Sequence, residues 1–285
     1  MKQLLVLSGK GGTGKTTVAG AFIYMNRLKA FADCDVDAPN LYLISELKSS
    51  PERSLFFGGK KAVINPEKCV RCYSCEHICR FGAIKNCAVN SIECEGCGLC
   101  ERICPVNAIE MKEASTGNLL LYKDGKTVFS TAELNMGSGA TGKLVSEVKK
   151  QLVSESKEYI SVVDGSPGIG CPVIASISGV YAVLIVSEPT VSGLNDLKRI
   201  IETVKKFGVK CAVCVNKYDV NLGKTEEIEK YCKSAGVLNV GRIPYDNTVL
   251  KALEQGKSVM AYSESEAAKA ITQIWNKLYG DYIIV

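Results

Sequence analysis

Nine of the chain's 14 cysteines fall between Cys69 and Cys104, a window of 36 residues, and the other five are scattered over the remaining 249. Cys69, Cys72, Cys75 and Cys79 read C-x2-C-x2-C-x3-C. Cys94, Cys97, Cys100 and Cys104 repeat the pattern, and Pro105 follows. Each cysteine of the first set maps onto the second by an offset of 25 residues, which also carries Ile78 to Ile103, Ala83 to Ala108 and Ile84 to Ile109. Duplicated apolar positions predict two copies of one structural unit, packed face to face. A secreted disulfide scaffold would be small and would carry cysteines throughout. Here a large cysteine-poor body holds one dense cluster, and the N-terminus runs into a glycine loop without an export signal. Metal or cluster ligation in a reducing cytoplasm is the expectation.

Three thiolates at x2 spacing can wrap one corner of a cubane cluster, and in such arrangements the fourth cysteine ligates the other cluster. Residues 62–113 closely resemble the bacterial two-cluster ferredoxin. The resemblance implies one [4Fe–4S] cluster on Cys69, Cys72, Cys75 and Cys104, and a second on Cys94, Cys97, Cys100 and Cys79. A pair of zinc sites is the alternative, since four thiolates also suit zinc. Arg80 stands where the pattern expects proline, which leaves the ligands intact but bears on the shielding of one cluster. Cys87 lies outside the motif and reads as a buried small residue. His77, the only histidine, reads as a surface residue inside the first ligand run.

The body carries a second motif. Residues 3–7 read as an apolar strand, followed by Gly9-Lys10-Gly11-Gly12-Thr13-Gly14-Lys15-Thr16 and a helical run to about residue 28. This satisfies G-x-x-x-x-G-K-[ST] in its strand–loop–helix context. The glycines let backbone N–H groups converge on phosphate oxygens at a helix N-terminus. Lys15 then reaches the β- and γ-phosphates, and Thr16 holds Mg2+.

With Lys10, the loop GKGGTGKTT resembles the deviant Walker A of the MinD, ParA, Mrp and nitrogenase iron-protein group. In that family this lysine crosses a nucleotide-sandwich dimer to the partner's nucleotide. Asp33-Cys34-Asp35-Val36-Asp37-Ala38-Pro39-Asn40 looks like the family's first switch, and Asp164-Gly165-Ser166-Pro167-Gly168 like its second. The resemblance implies catalytic roles for Lys10, Lys15 and Asp35, the last positioning the attacking water or Mg2+; a plain turn residue is the alternative for Asp35. It implies Mg2+ on Thr16 and Asp164. It implies nucleotide contacts at Gly9, Gly11, Gly12, Thr13, Gly14, Thr16, Thr17, Asn40, Gly168, Asn216 and Pro244. Asn216-Lys217-Tyr218-Asp219 is also how many GTPases read guanine, so ATP is expected with GTP as the alternative. Cys211 and Cys214 form a C-x2-C like the pair with which Mrp-like carriers bridge a cluster. They lie in an apolar strand, where residues three apart point to opposite faces, and core packing is expected.

Strands then alternate with helices to residue 278, which predicts a mainly parallel sheet covered on both faces. The expected architecture is α/β: a doubly wound P-loop NTPase with an inserted small α+β two-cluster ferredoxin domain. The division is residues 1–61 and 114–285 for the ATPase and 62–113 for the insert. Linkers are expected at Lys48-Ser49-Ser50-Pro51 and Ser115-Thr116-Gly117-Asn118, and a β-hairpin around Lys123-Asp124-Gly125-Lys126. At 46% hydrophobic and 23% charged, the 285 residues can bury a sizeable core. The net charge of +5 is spread without a basic run, so no nucleic-acid partner is expected. No apolar stretch approaches the roughly 18 residues of a membrane span, and residues 277–285 offer no basic amphipathic helix.

The insert lies between the two switches, so the expected function is an ATPase whose nucleotide state is coupled to electron transfer through two [4Fe–4S] clusters toward a metal–sulfur client. The alternatives are an iron–sulfur or metal cofactor assembly factor and a redox-sensing positioning ATPase. Expected partners are a nucleotide-dependent homodimer, or a heterodimer with a paralogue, and a redox partner or client protein.

Overall fold

The computed structural model describes residues 1–280; residues 281–285, where the tail expectation partly falls, lie outside the described residues. The chain begins β1 (Lys2–Leu7), α1 (Lys15–Met25), β2 (Ala30–Asp33) and β3 (Glu52–Ile64). The cysteine region follows as α2 (Ser74–Ile78), β4 (Ile84–Lys85), β5 (Ala88–Val89) and α3 (Leu99–Ile103). Next come β6 (Ile109–Asp124), β7 (Thr127–Leu134), α4 (Thr141–Glu155), β8 (Ile160–Asp164), α5 (Cys171–Ile177) and β9 (Ala182–Ser187). The chain closes with α6 (Val191–Lys206), β10 (Lys210–Asn216), α7 (Leu222–Ser234), β11 (Leu238–Ile243), α8 (Asn247–Glu254) and α9 (Glu266–Leu278).

Among the described residues one sheet holds nine strands, in the order β11-β10-β9-β1-β8-β2-β7-β6-β3. Pairing is parallel from β11 to β7 and antiparallel at β7-β6 and β6-β3. The strands β1, β8 and β9 are apolar almost throughout because helices cover both faces. On one face Leu144, Val148, Ile177, Ile200, Ile201 and Ile228 from α4 to α7 pack on the sheet. On the other, Val18, Phe22, Ile271 and Trp275 from α1 and α9 form a second core.

The hairpin around Gly125 forms as expected, with Asp124 opposite Thr127 and Gly125 at φ 59°. The expected linker at 115–118 does not form. Ser115 and Gly117–Asn118 lie inside β6, paired to β3 on one side, and Gly117–Asn118 also pair to β7 on the other. Turn-forming residues are overridden here because a strand flanked on both sides satisfies its backbone groups through its neighbours. Strands β3 and β6 run past residues 62 and 113 as one antiparallel ribbon, which ends at the pair Ile64–Ile109.

The cysteine unit sits at the end of this ribbon with its own small core of Ala62, Cys75, Ala83, Ile84, Cys94, Cys100 and Ile109. Its two halves repeat in backbone detail. Helices α2 and α3 start and end at the same 25-residue offset, and so do the left-handed residues Arg71 and Gly96, Tyr73 and Gly98, and Gly82 and Asn107. Asn65 O accepts from Cys69 N as Asn90 O does from Cys94 N, both at 3.1 Å. Glu76 Oε2 accepts from Asn86 N at 2.8 Å, and Glu101 Oε1 from Met111 N at 2.9 Å. The halves also exchange bonds, Asn65 N donating to Ala108 O and Asn90 N to Ala83 O, both at 2.7 Å. Of the duplicated apolar positions, Ala83, Ala108, Ile84 and Ile109 are buried, while Ile78 is 41% exposed and Ile103 half-buried.

Candidate functional site

Strand β1 is central in the sheet, so the loop after it opens at the sheet's C-terminal edge, where α/β sheets place ligands. Gly14 caps α1 in the left-handed region at φ 89°, and a Cβ there would stand 2.3 Å from Asn216 Nδ2. Only glycine suits both constraints. Residues Lys10–Thr17, Asp35 and Asn40 line a cavity of about 380 Å3, within the roughly 300–1,000 Å3 of small-molecule sites. The Thr13 hydroxyl is buried in this loop without a hydrogen-bond partner in the protein, which fits a loop built to meet phosphate oxygens.

At the cavity floor Lys15, 6% exposed, donates from Nζ to Asp164 Oδ1 at 2.7 Å and lies 4.0 Å from Asp35 Oδ2. Thr16 Oγ1 donates to Asp164 Oδ2 at 2.6 Å. Burial alone would lower the Lys15 pKa, but Asp164, Asp33 and Asp35 raise it. Asp33 is buried and accepts from the backbone N–H groups of Asp35, Asn40 and Leu41 at 2.9, 2.9 and 3.0 Å. These bonds bend residues 33–41 around one carboxylate. Burial, then the Asp164 carboxylate, push the Asp33 pKa upward against Lys15. Burial pushes the Asp35 pKa up to about 6, with Lys15 opposing and Asp164 and Asp37 adding to it. Three carboxylates around one ammonium leave an excess of negative charge, which suits a divalent cation on Thr16 and Asp164.

The other expected nucleotide residues divide. Gly9 stands beside Asp196 of α6. Gly168 N donates to Ser8 O at 3.0 Å, tying the segment after β8 to the loop. Asn216 Nδ2 donates to Thr13 O at 2.7 Å and so supports the loop in this structure. Pro244 follows β11 and does not line the cavity, whereas Leu43, Ile44 and Leu253 do, without having been singled out in the sequence. Lys10 turns back along its own chain: its Nζ lies 3.4 Å from Glu188 Oε2 and within 3.5 Å of the hydroxyls of Thr190 and Ser192. Glu188 also pairs with Lys217 at 2.6 Å, and Lys217 Nζ donates to Gly12 O at 3.2 Å. Glu188 and Asp33 were missed as site residues because their partners are set by tertiary contacts or by turn geometry.

The eight motif cysteines gather in two cavities. One is lined by Cys69, Cys72, Cys75 and Cys104, the other by Cys79, Cys94, Cys97 and Cys100. The fourth cysteine of each run thus joins the other run's three. Among the described residues no three His, Cys, Asp or Glu side chains converge closely enough to hold a single metal ion. Arg80 lines the second cavity and lies over the Phe81 ring at 5.1 Å. His77 is exposed, 2.8 Å from Tyr73 O. Cys211 and Cys214 are 9% and 0% exposed and belong to the cores on opposite faces of the sheet. Burial pushes both thiols up to about 12.

A phosphate-binding loop after a central parallel strand, with a lysine, a threonine and carboxylates from two further strand ends, defines a P-loop nucleotide-binding α/β protein. Residues 4–259 match the CobQ/CobB/MinD/ParA nucleotide binding domain, and the chain belongs to that family. It is 31% identical over 281 residues to an uncharacterized protein of Methanocaldococcus jannaschii, covering 97% of this chain and 96% of that one. It is 25% identical over 298 residues to the iron-sulfur cluster carrier protein of Pyrococcus abyssi, covering 97% and 85%. Its fold is similar to that of the cell division ATPase MinD of Pyrococcus furiosus, with a TM-score of 0.60 at 17% identity over 98% of each chain. No helix among the described residues is long and apolar enough to cross a membrane.

Proposed function

We propose that the chain hydrolyses ATP and couples its nucleotide state to electron transfer through two [4Fe–4S] clusters held by residues 62–113, the inserted ferredoxin-like unit. The clusters would rest on Cys69, Cys72, Cys75 and Cys104, and on Cys94, Cys97, Cys100 and Cys79. They would supply one-electron chemistry to a metal–sulfur client or its assembly. Thiols that ring a cavity suit a polynuclear cluster better than a zinc ion, whose ligands converge on one point. For the nucleotide, ATP is the reading and GTP the alternative; Asp219 Oδ1 accepts from Tyr245 N at 2.8 Å.

The observation that carries the coupling is a chain of contacts from the second cysteine run to the second switch. Lys61 Nζ donates to Cys94 O, so the ribbon grips the ligand loop. A Cβ on Gly137 would stand 2.8 Å from Ile92 Cγ2, and one on Gly142 would stand 3.5 Å from Cys171 Cβ. The segment 137–142 therefore touches the cysteine unit at one end and the start of α5, just past the second switch, at the other. Lys149 of α4 holds the far end of α5, donating to Ser176 O at 2.7 Å and to Ser178 O. These contacts would carry a shift of residues 164–168 to the loop of the second cysteine run.

Coupling of this kind is reciprocal, with a typical size of about 1–3 kcal/mol. ATP affinity is expected to differ by about 5–150-fold between oxidised and reduced protein, measured by anaerobic titration of a fluorescent ATP analogue. Equal affinity in the two states would remove the coupling from this reading. Asp35 supports a second expectation. Its carboxyl is protonated below a pKa of about 6, so hydrolysis should rise as pH increases through that value. Asp35→Asn should lose this limb along with most of the activity.

Assembly is the second reading, favoured by relatives named as iron-sulfur cluster carriers. The burial of Cys211 and Cys214 on opposite faces of β10 argues against carriage at that pair. The reading also includes a nucleotide-dependent dimer in which Lys10 leaves Glu188 for the partner's nucleotide.

A further inference from the structure

The two cysteine cavities are lined almost position for position at the 25-residue offset: Cys69, Val70, Cys72, Tyr73, Cys75 and Cys104 of the first answer to Cys94, Glu95, Cys97, Gly98, Cys100 and Cys79 of the second. Among their sulfur-bearing residues they differ by one extra each. The first cavity includes Cys87, whose repeat partner is Lys112, and the second includes Met111, whose repeat partner is Asn86. A thiol can donate a hydrogen bond and a thioether cannot. Cys87, half-buried rather than buried as expected, shares the wall of the first cavity with Cys69, a ligand of the first set. Its backbone is held in the left-handed region at φ 58°, after Asn86 at φ 50°, and Asn86 N is fixed by Glu76 of α2. The thiol is therefore delivered to the cavity wall by a built turn.

We infer that Cys87 is a positioning residue for the first cluster, its S–H donating to the Cys69 sulfur and making the two clusters inequivalent in reduction potential. This rests on the cluster reading above. Reduction adds negative charge to a cluster and its thiolates, and a donor on a ligand sulfur stabilises that added charge. The donor thus raises the potential of the cluster it touches. Neither bond making nor bond breaking at Cys87 is involved.

The test is a redox titration of the full-length, anaerobically reconstituted protein, followed by EPR, for wild type, Cys87→Ala, Cys87→Gly and Cys87→Ser. Glycine relaxes the positive φ, so that variant should fold even where alanine does not. Iron content should be unchanged in each. In the alanine and glycine variants one of the two potentials should fall, the reduction equilibrium of that cluster shifting by up to about tenfold, or about 59 mV for one electron. The other potential should stay fixed. Serine keeps a donor and should restore most of the shift. Two unmoved potentials in both donor-free variants, or equal shifts of both clusters, would overturn the role of Cys87 while leaving the cluster reading in place. Wild-type protein that takes up no iron would instead overturn the reading, and the inference with it.

Discussion

Lys15→Ala is expected to lower ATP hydrolysis by about 10²–10³-fold, the scale seen when one preorganised transition-state donor is removed. Its ammonium is almost fully buried and bonded to Asp164, so it is already placed beside the loop that would hold the phosphates. The variant leaves Asp33, Asp35 and Asp164 near one another without their cation, and like charges at close range resist ionisation. Nucleotide binding should therefore weaken together with turnover. The cysteine unit has a separate core, so the cluster EPR signals of Lys15→Ala should match wild type. Malachite-green phosphate release and EPR on the same preparation check both halves of the statement. Loss of both activities at once would mean that the two sites do not fold independently.

Cys104→Ala should cost the protein one whole cluster, although Cys104 lies 29 residues beyond Cys75 in the sequence. The cavity that Cys104 completes is formed by Cys69, Cys72 and Cys75 of the other run. Iron after reconstitution should fall from about eight to about four per chain if both clusters are cubanes. Cys79→Ala should do the same to the second set, and the doubly substituted protein should hold almost no iron. Cys211→Ala and Cys214→Ala should leave iron content unchanged, since both thiols face packed cores. Inductively coupled plasma analysis of iron and zinc reads all five variants. Zinc bound in place of iron, or a full complement of iron in Cys104→Ala, would contradict the crossed assignment.

The sequence carried much of this fold because its strongest signals are periodic or repeated. The P-loop could be read because a short apolar strand, a glycine run and a helix occur in fixed order. The cysteine repeat could be read because an offset needs no knowledge of structure. The opposite faces of Cys211 and Cys214 followed from the two-residue period of a strand. The ribbon was hidden. Strand β3 is mostly exposed and holds Gly58, Gly59, Lys60 and Lys61 in place of an alternating apolar pattern. Within β6, Ser115-Thr116-Gly117-Asn118 has the composition of a turn and becomes strand only through its pairing with β3 and β7. Strand β2 is hidden as well, because its four residues run directly into Cys34-Asp35-Val36-Asp37.

At the site, the residues on the P-loop itself were legible, while their partners from elsewhere were not. Glu188 lies 178 positions from Lys10 and meets it only because β9 and β1 are neighbours in the sheet. Asp33 looked like one acid among three; its role as the acceptor for the first switch depends on three backbone N–H groups that only the folded turn presents. Asn216 is expected among the nucleotide contacts, and in this structure its amide braces the P-loop. Arg71 and Tyr73 adopt positive φ where the second repeat uses Gly96 and Gly98, a correspondence that no residue-type rule predicts.

The central claim is that nucleotide state and cluster state are coupled, and the cluster potentials measure this directly. Both potentials should be determined by EPR-monitored titration of the same reconstituted protein, with and without a saturating non-hydrolysable ATP analogue. A coupling of about 1–3 kcal/mol predicts that at least one potential moves by about 40–130 mV. Potentials identical within error in the two titrations, at confirmed nucleotide saturation, would contradict it.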